Sequence, residues 1–338
     1  MAKRVTISDV AELAGVSTAT VSYYMNGRYD KMSEATRAKI SRAISKSGYV
    51  PSAQARALQG KSSGVIAVLI CNIMNTWDAQ LLRGIESTAR GEGYQTIVCD
   101  TGFDYEAERS YVHKMLSLGV DGFVVQPTSH VRPMRDLLAK ADKPVVFVDY
   151  GTFDLNGHWV KADLYDGFYT AVSECAERGY EDFVLLADDP HGARTRLERI
   201  QGVQDAVQAH DATFRMHTVT REAPSVEELT HYFAYQLNPA RRTLLVVPHQ
   251  WALARVFSAL EPLRDAMPDR IGLLGIDNPE WTPLVSPSIT TVQEPVFEEG
   301  QTAVEMLLEL LHGSTLAEPR RNLKCTVSWR SSTLPEPQ

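Results

Sequence analysis

Val10–Gly27 reads VAELAGVSTATVSYYMNG, a run of small and branched residues interrupted at Gly15. Thr6 caps a helix from about Ser8 to Ala14, and Gly15 ends it. Val10, Ala11 and Ala14 fall on one face at helical spacing. Ser17 caps a second helix, TATVSYYM. A short helix, a tight turn with glycine and another short helix predict a helix-turn-helix. Ala11 and Ala14 allow close approach of the two helices, and Val16 and Val21 fill the space between them. A third helix fits SEATRAKISRAISKSG, Ser33 to Gly48. Ser33 caps it, Ile40 and Ile44 mark its apolar face, and Arg37, Lys39, Arg42 and Lys46 stay available for solvent or phosphates.

The second helix is the candidate reader of a DNA groove. A helix fits the major groove with its N-terminal residues nearest the base edges. Thr18, Ala19 and Tyr23 share one side and are the candidate base-reading residues. Ser17, Ser22 and Asn26 are placed for phosphate oxygens, which fix register without reading sequence. The adjacent tyrosines divide: Tyr23 points outward, and Tyr24 packs or covers the third helix. Charge agrees with this reading. Residues 1–61 carry a formal +6, whereas the whole chain carries −8, leaving −14 on the rest. A basic head on an acidic body suits a head that meets a polyanion.

Beyond the head, Tyr49 and Pro51 break the helical run. SAQARALQG, between Ser52 and Gly60, makes one short helix that is marginal alone. Leu58 on it is an apolar side chain able to wedge into a minor groove. The expected division is a head at 1–50, a hinge helix and linker at 51–63, and a body at 64–338.

From Gly64 the pattern changes. Apolar strands such as GVIAVLI, YQTIVC, DGFVVQP, PVVFVDY, DFVLLAD, RTLLVVP and RIGLLGID alternate with amphipathic helices. That is α/β architecture with parallel sheets covered on both faces. The units exceed one comfortable sheet, so two lobes are expected. The first takes about 64–160 and 289–320, the second about 161–288 and 321–330. A cleft between them is lined by the carboxyl ends of strands. Asp149, Asp277, Gln126 and His249 stand where strands stop, and Arg199 opens a helix after the LLADDP loop. Carboxylates that accept from hydroxyls and a guanidinium that donates to them suit a polyhydroxylated ligand. Trp77 or Trp281 supplies a flat wall for a sugar ring.

Two carboxylates in a cleft also raise a hydrolase reading, an enzyme carrying a DNA-binding head. No GxSxG, HExxH or GxxxxGK[ST] supports an enzyme, and no cofactor motif appears. The four cysteines are far apart without a CxxC pair, so a metal site is not expected. No apolar run is long enough to span a membrane, and no signal peptide stands at the N-terminus, which leads to a cytoplasmic expectation.

TISDVAELAGVSTATVSYYMNG, SEATRAKISRAISKSGYVPSAQARALQGKSSGVIAVLI, GVDGFVVQP, PVVFVD, GID and SITTV together resemble the lactose-repressor family of bacterial transcription regulators. The resemblance covers the chain and is densest over 5–60. It implies an all-α helix-turn-helix head and a two-lobed core like a type I periplasmic binding protein. It further implies a palindromic double-stranded operator, a homodimer and a small effector; Asp149, Arg199 and Asp277 favour a sugar or sugar-like effector acting as inducer, a sign the resemblance does not fix. A corepressed regulator of non-sugar metabolism and a ligand-independent DNA-binding protein are the alternatives. By the same resemblance Thr18, Ala19 and Tyr23 match base-reading positions. Leu58 and Ala55 match the minor-groove hinge, and Asp149, Arg199 and Asp277 match effector contacts. Departures are visible: Tyr23 stands where many members have Arg, and Pro248 where an effector-binding Asn is common.

Overall fold

The computed structural model describes residues 5–49, 62–128, 131–150, 157–189 and 194–334. Ala55 and Leu58, the expected hinge residues, lie outside them. The chain divides into two units, Met1–Ser63 and Gly64–Gln338.

In the first unit, helix α1 is Ile7–Ala14, α2 Thr18–Met25 and α3 Glu34–Ser47, with a 3-10 turn at Tyr29–Lys31. Thr6 does more than cap α1. Its hydroxyl accepts from the Asp9 amide, and the Asp9 carboxylate accepts from the Thr6 amide at 2.7 Å, a reciprocal box. Gly15 closes α1 at φ 67°, a left-handed turn that costs a glycine little. Ser17 and Ser33 cap α2 and α3 through the amides of Thr20 and Thr36. Val10, Val21 and Ile40 form the centre of the core, and Ala11, Ala14 and Ala43 permit the close packing around it.

The second unit holds two six-stranded sheets. In the first lobe β1 is Val65–Ile70, β2 Gln95–Asp100, β3 Gly122–Val125, β4 Val145–Val148, β5 His158–Ala162 and β11 Arg320–Leu323. In the second β6 is Asp182–Ala187, β7 Thr213–Thr218, β8 Thr243–Val246, β9 Ile271–Ile276, β10 Thr290–Gln293 and β12 Thr326–Ser328. The orders are β11-β5-β4-β3-β1-β2 and β12-β10-β9-β8-β6-β7, so the lobes correspond strand for strand. All pairings are parallel except β10 with β12. Strands covered on both faces have no polar side to alternate with, which is why VIAVLI and IGLLGI read as unbroken apolar runs.

The helices of the first lobe are α4 (Thr76–Gly91), α5 (Tyr105–Leu118), α6 (Val131–Lys140) and α11 (Val296–Leu311). Those of the second are α7 (Leu164–Glu177), α8 (Arg194–Ala209), α9 (Val226–Gln236) and α10 (Gln250–Ala259). Helix α4 packs on α11 so closely that a Cβ at Gly84 would stand 2.1 Å from the Phe297 carbonyl oxygen. The equivalent pair in the second lobe, α8 on α7, uses Gly202, whose Cβ would stand 2.4 Å from the Tyr165 carbonyl oxygen. Among the described residues no helix is long and apolar enough to cross a membrane.

The lobe boundaries differ from the sequence-based expectation at two places. Thr290–Gln293, expected with the first lobe, is β10 and pairs with β9 of the second. Arg321–Leu323, expected at the start of a second-lobe segment, belong to β11, which pairs with β5 of the first. Both β5 (HWVKA) and β11 (RRNL) carry basic residues that hide their strand character; the buried Lys161 in β5 is neutralised by Glu198 at 2.5 Å. The chain therefore passes between the lobes at Asp163, at Glu294–Pro295 and at Lys324–Cys325.

Candidate functional site

On α2 the residues separate by face. Val21 is buried, while Thr18, Ala19 and Tyr23 are exposed, Tyr23 by 39%. The Arg28 guanidinium lies 5.4 Å from the Tyr23 ring centre, holding an aromatic and a cation together on the surface. Tyr24 instead packs on the head core and meets the Tyr29 ring edge-on at 5.7 Å. Ser17 and Asn26 are exposed and Ser22 is half-buried. The Asn26 amide donates to the Ser22 carbonyl at 2.5 Å, so α2 is tied at its end as well as capped at its start.

In the second unit a cavity of about 260 Å³ opens between the lobes. Its first-lobe wall comes from the ends of β1, β3 and β4 and the start of α4: Cys71, Gln126, Asp149, Trp77 and Asp78. Its second-lobe wall comes from α8 and the start of α10: Arg196, Arg199, His249 and Trp251. Glu294, from the middle crossing between lobes, also lines it. Gln126 orders the first wall, accepting from the Cys71 amide at 2.8 Å and donating toward Asp149 at 3.4 Å. Asp149 is held at φ 50°, a left-handed conformation unusual for a residue with a side chain, and its amide donates to Glu299 at 2.7 Å.

Burial and mutual proximity set the charges. Arg199 donates to the Pro248 carbonyl at 2.7 Å and faces Glu294 at 3.6 Å. Arg196 is taken by Asp188 at 3.0 Å. Burial, then the neighbouring Glu294, pushes the Asp149 carboxyl up to about 7 against the pull of Arg199. Burial, then Asp149 and Asp100, pushes Asp78 up to about 7. Burial and Asp277 hold Glu294 well above the usual carboxylate range, and burial and Asp149 do the same to Glu299. His249 is driven down to about 3 by burial and by Arg199, Arg196 and Arg221. It is neutral, and its Nε2 accepts from the Asp188 amide at 3.0 Å. His249 and Trp251 stack with ring centres 5.0 Å apart, giving the cavity a flat wall.

The cavity thus brings together Asp149, Arg199, Trp77, Gln126 and His249. It does not bring in Asp277 or Trp281. Asp277 ends β9 one layer behind, at φ 46°, accepting from Gln250 at 2.6 Å and from the Glu294 amide at 2.8 Å. Trp281 packs with Phe257 at 6.1 Å in the second-lobe core, and the indole at the cavity wall besides Trp77 is Trp251. Arg199 does not open its helix; α8 starts at Arg194, and the extra turn carries Arg199 inward. Sequence reasoning passed over Asp78, Glu294 and Arg196. TVQEP, a strand followed by an acid, held the same signal for Glu294 that was used for Asp149, whereas Asp78 sits within a helical pattern and gives none.

Comparison with known proteins agrees across the whole chain. Residues 6–52 match the family described as bacterial regulatory proteins, lacI family, and residues 172–333 match a periplasmic binding protein-like domain. The HTH-type transcriptional regulator PtxS of Pseudomonas putida is 31% identical, over 99% of this chain and 97% of that one. Among solved structures, the lac repressor dimer bound to operator and the anti-inducer ONPF superposes with a TM-score of 0.82 at 24% identity, over 98% of this chain and 100% of that one. A CelR–cellobiose complex superposes with a TM-score of 0.69 at 21% identity, over 97% and 100%.

Proposed function

The chain belongs to the lacI family of bacterial regulatory proteins, a helix-turn-helix transcriptional regulator with a small-molecule-responsive domain, and on that premise we propose that it is a repressor released by a sugar. Two heads of a homodimer read a roughly palindromic operator, because two-fold protein symmetry meets two-fold DNA symmetry. Thr18, Ala19 and Tyr23 face base edges, and Ser17, Ser22 and Asn26 face phosphates. Ala55 and Leu58 act in the minor groove at the operator centre.

The observation that carries the sugar reading is the cavity lining: carboxyls, an amide and guanidiniums together with an indole from each lobe. Hydroxyls both donate and accept, so a polyol satisfies Asp149 and Arg199 together, while Trp77 and Trp251 cover the apolar face of a ring. The cellobiose complex of a protein with the same fold supports this class of ligand. The sugar acts by its differential affinity for the DNA-bound and released states.

The test is anisotropy of a labelled symmetric duplex from upstream of the protein's own gene, at physiological salt, with and without added sugars. Arg199→Ala leaves duplex affinity near that of the unaltered protein and removes the sugar response. A dose–response curve unchanged by Arg199→Ala would remove the cavity from the regulation. Tyr23→Ala lowers the preference for the cognate duplex over random duplex by about 1–3 kcal/mol; an equal loss on both duplexes would count against base reading by Tyr23.

A further inference from the structure

The charge balance around the cavity narrows the ligand class. Three carboxyls line it, Asp78, Asp149 and Glu294, against two guanidiniums. One of these, Arg196, is already held by Asp188. Two more carboxyls stand directly behind: Glu299 accepts from the Asp149 amide, and Asp277 accepts from the Glu294 amide. The nearby ammonium of Lys161 is taken by Glu198. Among the described residues Arg199 is the guanidinium that faces the carboxyls directly, while Arg221 lies farther out, 5.4 Å from the Trp251 ring centre. Asp78 is 1% exposed, and its Oδ1 has no hydrogen-bond partner among the described residues. A buried carboxyl oxygen left without a donor is costly, so it marks where a ligand hydroxyl belongs. The buried Arg199 Nε has no hydrogen-bond partner among the described residues and calls for an acceptor. A hydroxyl supplies either. The space equals roughly eight or nine waters at about 30 Å³ each, which fits one sugar ring.

We propose that this cavity takes an uncharged, monosaccharide-sized polyol and rejects the same scaffold carrying a carboxylate or phosphate. The proposal rests on the reading of the cavity as a sugar site and adds the charge of its ligand. Burial holds the protons of Glu294 and Glu299 well above the usual carboxylate range and shifts Asp277 the same way, so at about pH 8 a ligand anion meets the charges of Asp78 and Asp149, with Asp100 beyond Asp78 adding to the repulsion and Arg199 offsetting part of it. In that low-dielectric space like charges repel strongly. An anion enters only if the cluster takes up protons, so its binding strengthens as pH falls through the region near 7 where Asp78 and Asp149 titrate. A neutral ligand brings no such requirement.

Calorimetry on the full chain with matched pairs tests this: glucose with gluconate and glucose 6-phosphate, galactose with galactonate, and ribose with ribonate and ribose 5-phosphate. The expected result is binding of a neutral member, with its anionic partners at least about tenfold weaker at about pH 8 and the gap narrower at about pH 5.5. Asp78→Asn removes one negative charge at nearly constant shape and lowers the ratio of neutral to anionic affinity at about pH 8, with an unchanged circular-dichroism spectrum reporting that the fold is intact. An anionic member that binds as tightly as its neutral partner at about pH 8 overturns the proposal and leaves the sugar site standing. If no member of any pair binds at either pH, the sugar site itself is lost, and this proposal with it.

Discussion

The two lobes are built to one plan and use it differently. Each has six strands in the same spatial order, and each ends its fourth strand in sequence, β4 or β9, with an aspartate in a left-handed conformation. Asp149 and Asp277 are thus structural counterparts. Asp149 lines the cavity, with Gln126 donating toward its carboxylate. Asp277 is turned into the protein, where Gln250 and the Glu294 amide occupy both of its oxygens. Equivalent backbone positions therefore do not make equivalent sites; what decides is which neighbours already satisfy the side chain. The first lobe left its aspartate open to the cavity, and the second spent the same residue on fixing the crossing that carries Glu294.

The shared plan is broken most severely at the helix pairs. Gly84→Ala and Gly202→Ala each place a methyl group against a backbone carbonyl that cannot yield, and each is expected to cost about 3 kcal/mol by overpacking. Urea midpoints of the two variants should fall together. A large loss for one and none for the other would show that the lobes are not mechanically alike. The divergence of the aspartates gives the next largest effect. Asp149→Asn lowers affinity for a neutral sugar by about tenfold with little change in stability, as expected for a lost charge-assisted hydrogen bond of about 1.5 kcal/mol. Asp277→Asn does the reverse. The new amide faces the Gln250 donor, which costs about 1–2 kcal/mol of stability while ligand affinity stays within about threefold. The same pair of measurements with the effects exchanged would overturn the assignment.

A third comparison is with pH. Unfolded aspartates release their protons near 3.8, whereas Asp78 and Asp149 keep theirs to about 7, and Glu294, Glu299 and Asp277 shift in the same sense. The folded chain then holds more protons than the unfolded one between these values, so stability falls as pH rises from about 4 to about 7. His249, pulled from 6.5 to about 3, opposes this over part of the range but is outnumbered. The body should melt higher at about pH 5 than at about pH 8, and Asp78→Asn should flatten the slope. A melting temperature that rises over this interval would contradict the buried, protonated cluster.

The head was legible almost residue by residue, because its caps, its glycine turn and its apolar spacing all act within a few residues of one another. Thr6, Ser17 and Ser33 declare their roles locally, and only the Asp9 half of the first cap escaped notice. The body was legible as alternating strands and helices, since two-sided burial leaves a plain apolar signature. Its crossings were not. β5 and β11 carry basic residues, and their strand character depends on partners more than a hundred residues distant. The site followed the same rule. Residues directly after apolar strands, such as Gln126 and Asp149, could be picked out. Asp78 could not, because a carboxylate on a helix signals nothing until the fold closes water away from it. Trp281 and Trp251 were indistinguishable as indoles, and only packing shows which one faces the cavity.

The three crossings at Asp163, Glu294–Pro295 and Lys324–Cys325 act together as the spine of a book. Three short threads side by side let the covers open and shut but resist one cover sliding or spinning on the other, since either motion would pull at least one thread taut. Glu294 sits in that binding and also looks onto the page. Whatever fills the cavity therefore borders one of the three threads directly, as well as both covers.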